Sequence, residues 1–196
     1  MSLTVTQFEK QKKERLAVFP RIMREIRNDR PTIYFLDETI FSSKQSCSFK
    51  VWAPRGVVVP TTHRNKVSFP AIAAIAVIDV EGNVVACATK LKSYKTDSYV
   101  EFLKEFRAKT KGKVKLLVDN LNVHRTLKAR DYCQSKGIEV IFNAIYSSEY
   151  TPIERVWLHA KNKWRKRVVE ITNFSNITLL QKKIKESIET VNSRVI

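Results

Sequence analysis

The chain has 196 residues, of which 43% are hydrophobic, enough for one domain with a real core and unlike the composition of a disordered tail. No run of about 18 or more apolar residues occurs, so no segment reads as a membrane-spanning helix, and residues 1–30 lack the apolar block of a signal peptide. The 36 Lys and Arg against 19 Asp and Glu leave a net charge of +17, a field that gathers polyanions and points to nucleic acid, not a membrane, as the partner.

Residues 1–30 read as a basic helical lead-in, with Pro20 at a first helical position and Ile22, Met23 and Ile26 on one face. Residues 31–196 read as one α/β domain. TIYFLDE, from Thr32, is a strand-forming run, and SCSFKVW (Ser46 to Trp52) alternates as a second strand would. Ala53 to Gly56 make a turn. AIAAIAVIDV (Ala71 to Val80) is the most apolar run and suits a strand buried on both faces. Glu81, Gly82 and Asn83 form a hairpin turn into VVACATK.

Beyond this meander the pattern alternates. A helix capped by Thr96 or Asp97 carries Val100, Leu103 and Phe106 inward. The strand KVKLLVD follows, then a helix from about Thr126 to Lys136 stopped by Gly137, then the strand IEVIFNA. Two more helices span about Thr151 to Val169 and Asn176 to Asn192, the second with a stripe of Ile177, Leu180, Ile184, Ile188 and Val191. A meander followed by α and β units in alternation predicts a mixed sheet with helices on both faces. The three cysteines, Cys47, Cys87 and Cys133, lack metal-ligand spacing and read as reduced, buried thiols of an intracellular protein.

Three carboxylates end core elements. Asp37 closes TIYFLDE, Asp119 closes KVKLLVD, and Glu154 sits in the first turn of the Thr151 helix. Hard divalent cations take oxygen ligands, and two Mg²⁺ or Mn²⁺ ions roughly 3.5–4 Å apart assist displacement at a phosphodiester. In a chain this basic, the pattern suggests a metal-dependent nuclease. Each acid has a plainer alternative. Thr151-Pro152-Ile153-Glu154 is a capping box in which Glu154 serves only its own helix. Asp119-Asn120 is a strand-ending turn. Glu38 rivals Asp37, although alternation along a strand lets only one of the two face the site.

Several stretches resemble the catalytic domain of the mariner superfamily of transposases and the related insertion-sequence transposases: YFLDETIF around Asp37, VWAPRG at Val51 to Gly56, LLVDNLNVH with Asp119, Asn120 and His124, and YSSEYTPIERVW with Glu154. Between Asp119 and Glu154 lie 34 residues, the spacing of one large branch of that group, and the resemblance covers about Thr32 to Arg167. It implies an RNase H-like fold in which a three-strand antiparallel meander joins parallel strands. It also implies an Asp-Asp-Glu triad of Asp37, Asp119 and Glu154 holding two Mg²⁺ or Mn²⁺ ions, and cleavage at element ends followed by 3′-hydroxyl strand transfer. The alternatives are an RNase H-like nuclease without strand transfer, or an inactive DNA-binding descendant. The partners implied are double-stranded DNA and a second copy of the chain. The place of action is the nucleus in a eukaryote, or the cytoplasm and nucleoid in a bacterium.

Ser148, Tyr150 and Thr151 stand where the family often has Pro, Leu and Asn, which bears on loop geometry and removes no ligand. The family's end-reading DNA-binding region does not fit in residues 1–30, so the resemblance implies a catalytic-domain fragment, a separately encoded half or a rearranged descendant. Asn120 and His124 are expected to support the acids or touch substrate, His124 having the alternative of a simple helix-start residue. His159, Lys161, Lys163, Arg165, Lys166 and Arg167 form a basic helix side suited to DNA phosphates, or an ordinary solvated face. Arg55, Arg64 and Lys66, with His63, form a second basic region. Glu149 reads as a loop charge and Trp52 as a core residue.

Overall fold

The computed structural model describes residues 13, 17–18, 20–25, 27–28, 32–46, 54–57, 68–143 and 151–191. Five strands among them form one sheet: β1 Ile33–Phe41, β2 Ile72–Asp79, β3 Val84–Leu91, β4 Val114–Val118 and β5 Ile138–Phe142, in the order β3-β2-β1-β4-β5. β1, β2 and β3 make an antiparallel meander, while β4 joins β1 and β5 joins β4 in parallel. Four helices cover the sheet: α1 Thr96–Ala108, α2 Leu127–Ser135, α3 Ile153–Arg167 and α4 Ile177–Glu189. The mixed sheet with helices on both faces is thus the observed architecture.

Alternation along β1 divides the core in two. Ile33, Phe35 and Phe41 point to the face packed by α3 and α4, where Trp164 meets Phe41 and Phe69 edge-on at 6.2 and 5.8 Å. Leu36 and Tyr34 point to the other face, which Tyr99, Phe102, Leu103 and Phe106 of α1 cover together with Ala129 and Cys133 of α2. β2 lies between both layers and is buried along nearly its whole length, which is why its sequence lacks a polar alternation. Ile22, within the helical residues 20–25, joins the α3–α4 side, and Glu25 pairs with Lys115 of β4.

Local rules account for the ends. Asp79 accepts the amides of Glu81 and Asn83 at 3.0 and 2.8 Å, and Gly82 takes φ +84° in the hairpin turn. Gly137 stops α2 at φ +65°. Asn176 caps α4 through the Leu179 amide at 3.0 Å. The α1 cap differs from expectation: Lys95 holds the cap position, and Ser98, three residues on, accepts its amide at 3.0 Å. Met23 is exposed, because a residue adjacent to an inward-facing one on a helix turns about 100° away from it. Ser46 belongs to the helical turn Ser43–Ser46, not to a strand, and the rest of the SCSFKVW run lies outside the described residues, as do Ile26, Trp52, His63 and Glu149. Cys87 and Cys133 are free and buried, and burial pushes their thiols up to about 12 and about 11. Cys47 lies outside the described residues.

Candidate metal and nucleic-acid site

The site forms where the β1–β4 pairing ends. The last paired residues are Phe35 and Leu117, and two residues further along each chain stand Asp37 and Asp119. The even step along β1 keeps Asp37 on the face of Phe35, which is the face of α3, while Asp119 stands one residue beyond the end of β4. β1 runs on beside β2 to Phe41, whereas the chain leaves β4 at Val118 and turns through a 3-10 segment, Asn122–Arg125. A crevice opens at that fork, at the carboxyl ends of parallel strands, where open α/β sheets gather their ligands.

Asp37 is held from α3. The indole nitrogen of Trp157 donates to its Oδ2 at 2.9 Å. Burial pushes the Asp37 carboxyl up to about 6; the Trp157 bond and a backbone bond oppose this, and the charges of Glu154 and Asp119 reinforce it. Glu154 and Asp119 are thus near enough for their charges to act on Asp37.

Asp119 is held differently. Its Oδ1 accepts the Leu121 amide at 3.1 Å and faces His124 Nδ1 at 2.9 Å. Burial works to raise its carboxyl, but the hydrogen bonds from His124 and Leu121 and the His124 charge outweigh it and hold the group below the usual range. His124 is 2% exposed. Its Nε2 lies 3.4 Å from Glu38 Oε1, and Tyr99 packs against the ring at 4.7 Å between centroids. Burial disfavours the imidazolium, but its two carboxylate partners more than compensate and raise it to about 9.

Glu154 enters from the first turn of α3 and stays exposed. The helix begins at Ile153, with Pro152 at the cap position and no side-chain capping bond there. The Glu154 amide donates to the Thr151 carbonyl at 3.2 Å, and the carboxylate stands at the positive end of the helix. Asn120 donates to the Asn143 carbonyl and accepts from Arg125, whose guanidinium lies 4.8 Å above the Phe142 ring; this ties the loop after β4 to the end of β5.

The basic side of α3 divides by its contacts. Lys163 donates to the Thr190 carbonyl, and Arg167 lies 3.3 Å from Ser187 Oγ and 3.8 Å from Glu186, so both hold α4. Lys161 and Arg165 follow Glu154 at steps of seven and eleven and share its stripe. Burial lowers the Lys161 ammonium, while Glu154 and Asp37 raise it and Arg165 lowers it further, which places it in the field of the acids. Lys166 is exposed and His159 partly buried. Arg55 is exposed in a turn, and Arg64 and Lys66 lie outside the described residues.

All three acids offer only oxygen, the donor set of Mg²⁺ or Mn²⁺ and not of zinc. Among the described residues, no three His, Cys, Asp or Glu side chains are grouped so as to hold a metal ion. Sequence reasoning missed the Trp157 bond and the Glu38 contact, since neither is visible without knowing which elements pack together.

A family model described as DDE superfamily endonuclease matches residues 32–177. No curated protein sequence matches the chain. Among solved structures, the chain is similar to the Mos1 transposase catalytic domain with Raltegravir and Mn, at 15% identity and TM-score 0.65 over 100% of this chain and 88% of that one. It is also similar to the Mos1 mariner paired-end complex with Mn, at 17% identity and TM-score 0.64, covering 96% of this chain but 61% of the Mos1 chain. A simian T-cell lymphotropic virus intasome in complex with PP2A regulatory subunit B56 gamma matches at 15% identity and TM-score 0.56, over 82% and 48%. These likenesses establish the RNase H-like fold. Among the described residues, no helix is long and apolar enough to cross a membrane.

Proposed function

We infer that this chain, which belongs to the DDE superfamily endonuclease family, is the catalytic domain of a mariner-type transposase that cuts DNA at element ends and joins the freed ends to a target. The observation that supports this reading is the register that pairs Phe35 with Leu117 two residues before Asp37 and Asp119, together with the effect that the charges of Asp119 and Glu154 have on Asp37. In this reading the three acids hold two Mg²⁺ or Mn²⁺ ions. When bound, such ions supply Lewis acidity and orient the oxygens of an in-line displacement at phosphorus.

The chain's own residues prepare that site. Trp157 fixes the Asp37 carboxylate and keeps it from swinging into solvent. His124 fixes Asp119. Lys161 and Arg165, on the Glu154 stripe, offer positive charge to phosphates of the strand being cut. In the first reaction, water attacks the phosphodiester, an O–P bond forms, and the bond to the 3′ oxygen breaks to leave a 3′-hydroxyl. In the second, that hydroxyl attacks a phosphodiester of the target, so one ester replaces another and no protein–DNA bond is needed. Substrate is double-stranded DNA, and paired ends call for two copies of the chain.

The reading is tested by incubating the protein with a labelled element end, a supercoiled target and Mn²⁺. Joined product supports transposase activity. Cleavage without joining would make the chain an RNase H-like nuclease, and absence of both Mn²⁺ binding and cleavage would make it an inactive descendant.

A further inference from the structure

Asp37 and Glu38 are neighbours in β1, so their side chains leave the sheet on opposite faces. Asp37 meets Trp157 on the α3 side. Glu38 goes to the α1 side, where its side chain is 15% exposed and its Oε1 lies 3.4 Å from His124 Nε2. The other ring nitrogen, Nδ1, lies 2.9 Å from Asp119 Oδ1. The imidazole is thus held at both nitrogens by carboxylates 81 positions apart in the chain, and Tyr99 closes one side of the ring at 4.7 Å. The ring is almost wholly enclosed, with 1% of its side chain exposed.

We propose that Glu38 is a positioning residue for the site: acting through His124, it fixes the direction in which Asp119 presents its carboxylate. This rests on the proposed metal-holding role of Asp119. A ring free to rotate about its side-chain bonds gives Asp119 a mobile partner; a ring pinned at Nε2 gives it a fixed one. Partners one bond removed from a ligand are known to set ligand direction and affinity in this way. Adjacent residues of one strand then serve two different ligands, Asp37 directly and Glu38 through the sheet to Asp119. Sequence alone makes Glu38 a competitor of Asp37; the fold makes it a support for Asp119.

The test uses the whole chain as Glu38→Ala and Glu38→Gln, with two readouts. One is the ¹⁵N resonance of His124 Nε2 in metal-free protein, assigned by its loss in His124→Gln. The other is Mn²⁺ binding followed by electron paramagnetic resonance. Glu38→Ala is expected to shift the Nε2 resonance and weaken Mn²⁺ binding about 10-fold, while Glu38→Gln, which keeps an acceptor oxygen, restores most of both. Two outcomes overturn the proposal: an unchanged resonance and Mn²⁺ affinity in Glu38→Ala, or complete loss of Mn²⁺ in Glu38→Gln, which would make Glu38 a ligand. A wild-type chain that binds no Mn²⁺ yet shows the Nε2 shift would sink the proposed function and leave the Glu38–His124 link standing.

Discussion

The indole of Trp157 donates to the carboxylate of Asp37 at 2.9 Å, across 120 positions of sequence. Trp157 lies one turn beyond Glu154 on α3, so this bond sets the approach of the third acid to the first. Trp157→Phe keeps the ring and removes the donor. Since the bond opposes the effect of burial on Asp37, its loss moves the Asp37 carboxyl above about 6. A Mn²⁺ titration at several pH values should show the acid limb of binding displaced upward, with the fold retained by circular dichroism.

Asp37 itself carries a stability cost. Its carboxyl is raised in the folded chain to about 6 from 3.8, so the ionised form is disfavoured by folding. The cost is absent below the unfolded value, grows as pH rises from 3.8 to about 6, and is complete above that. Asp37→Asn should therefore stabilise the metal-free protein at neutral pH by about 1–3 kcal/mol. Denaturant titrations at pH 7 and pH 3.5 check this: the gain appears at the first and disappears at the second. In wild-type protein Mn²⁺ should raise stability at neutral pH, an effect that Asp37→Asn should lose.

His124 has the opposite sign. Its imidazolium is raised to about 9 from 6.5, so its contribution is fully present below 6.5 and is lost as pH rises through about 9. In metal-free protein, stability should fall by about 1–3 kcal/mol across this window. In His124→Gln that slope should be missing. Chemical denaturation at pH 6, 7.5 and 9 measures it.

The two halves of the basic face of α3 should behave differently. Lys161→Ala and Arg165→Ala should weaken DNA binding, each lowering the slope of log affinity against log salt by about 1. Lys163→Ala and Arg167→Ala remove contacts to α4 and should lower thermal stability with little change in that slope. Filter binding over a salt series, beside thermal melts, separates the two pairs.

Much of this was legible before any coordinates, for physical reasons that differ by residue. Ala71 to Val80 reads as a doubly covered strand because no polar residue interrupts it, and β2 is buried as expected. Asp37 and Asp119 announce themselves as carboxylates ending apolar runs, and each follows by two residues the pair Phe35 and Leu117 of the β1–β4 register. Glu154 is ambiguous in sequence, since Thr-Pro-Ile-Glu fits a capping box; the fold adds that α3 starts at Ile153 with Glu154 in its first turn. Thr96 looked like a cap because threonine often is one, while Ser98 captures the Lys95 amide from inside the helix. Trp157 and Glu38 had roles that no local pattern encodes, because their partners, Asp37 and His124, come from other elements. The contacts of Lys163 and Arg167 to α4 are likewise absent from any local pattern, because Thr190, Ser187 and Glu186 belong to another element.

The central claim is that Asp37, Asp119 and Glu154 form one metal-dependent site for cutting DNA. The most direct measurement is nicking of supercoiled DNA, with and without Mn²⁺, by wild-type protein and by Asp37→Ala, Asp119→Ala and Glu154→Ala. The account predicts nicking by the wild type only when Mn²⁺ is present and loss to background in each variant. Wild-type rates in Asp119→Ala would contradict it.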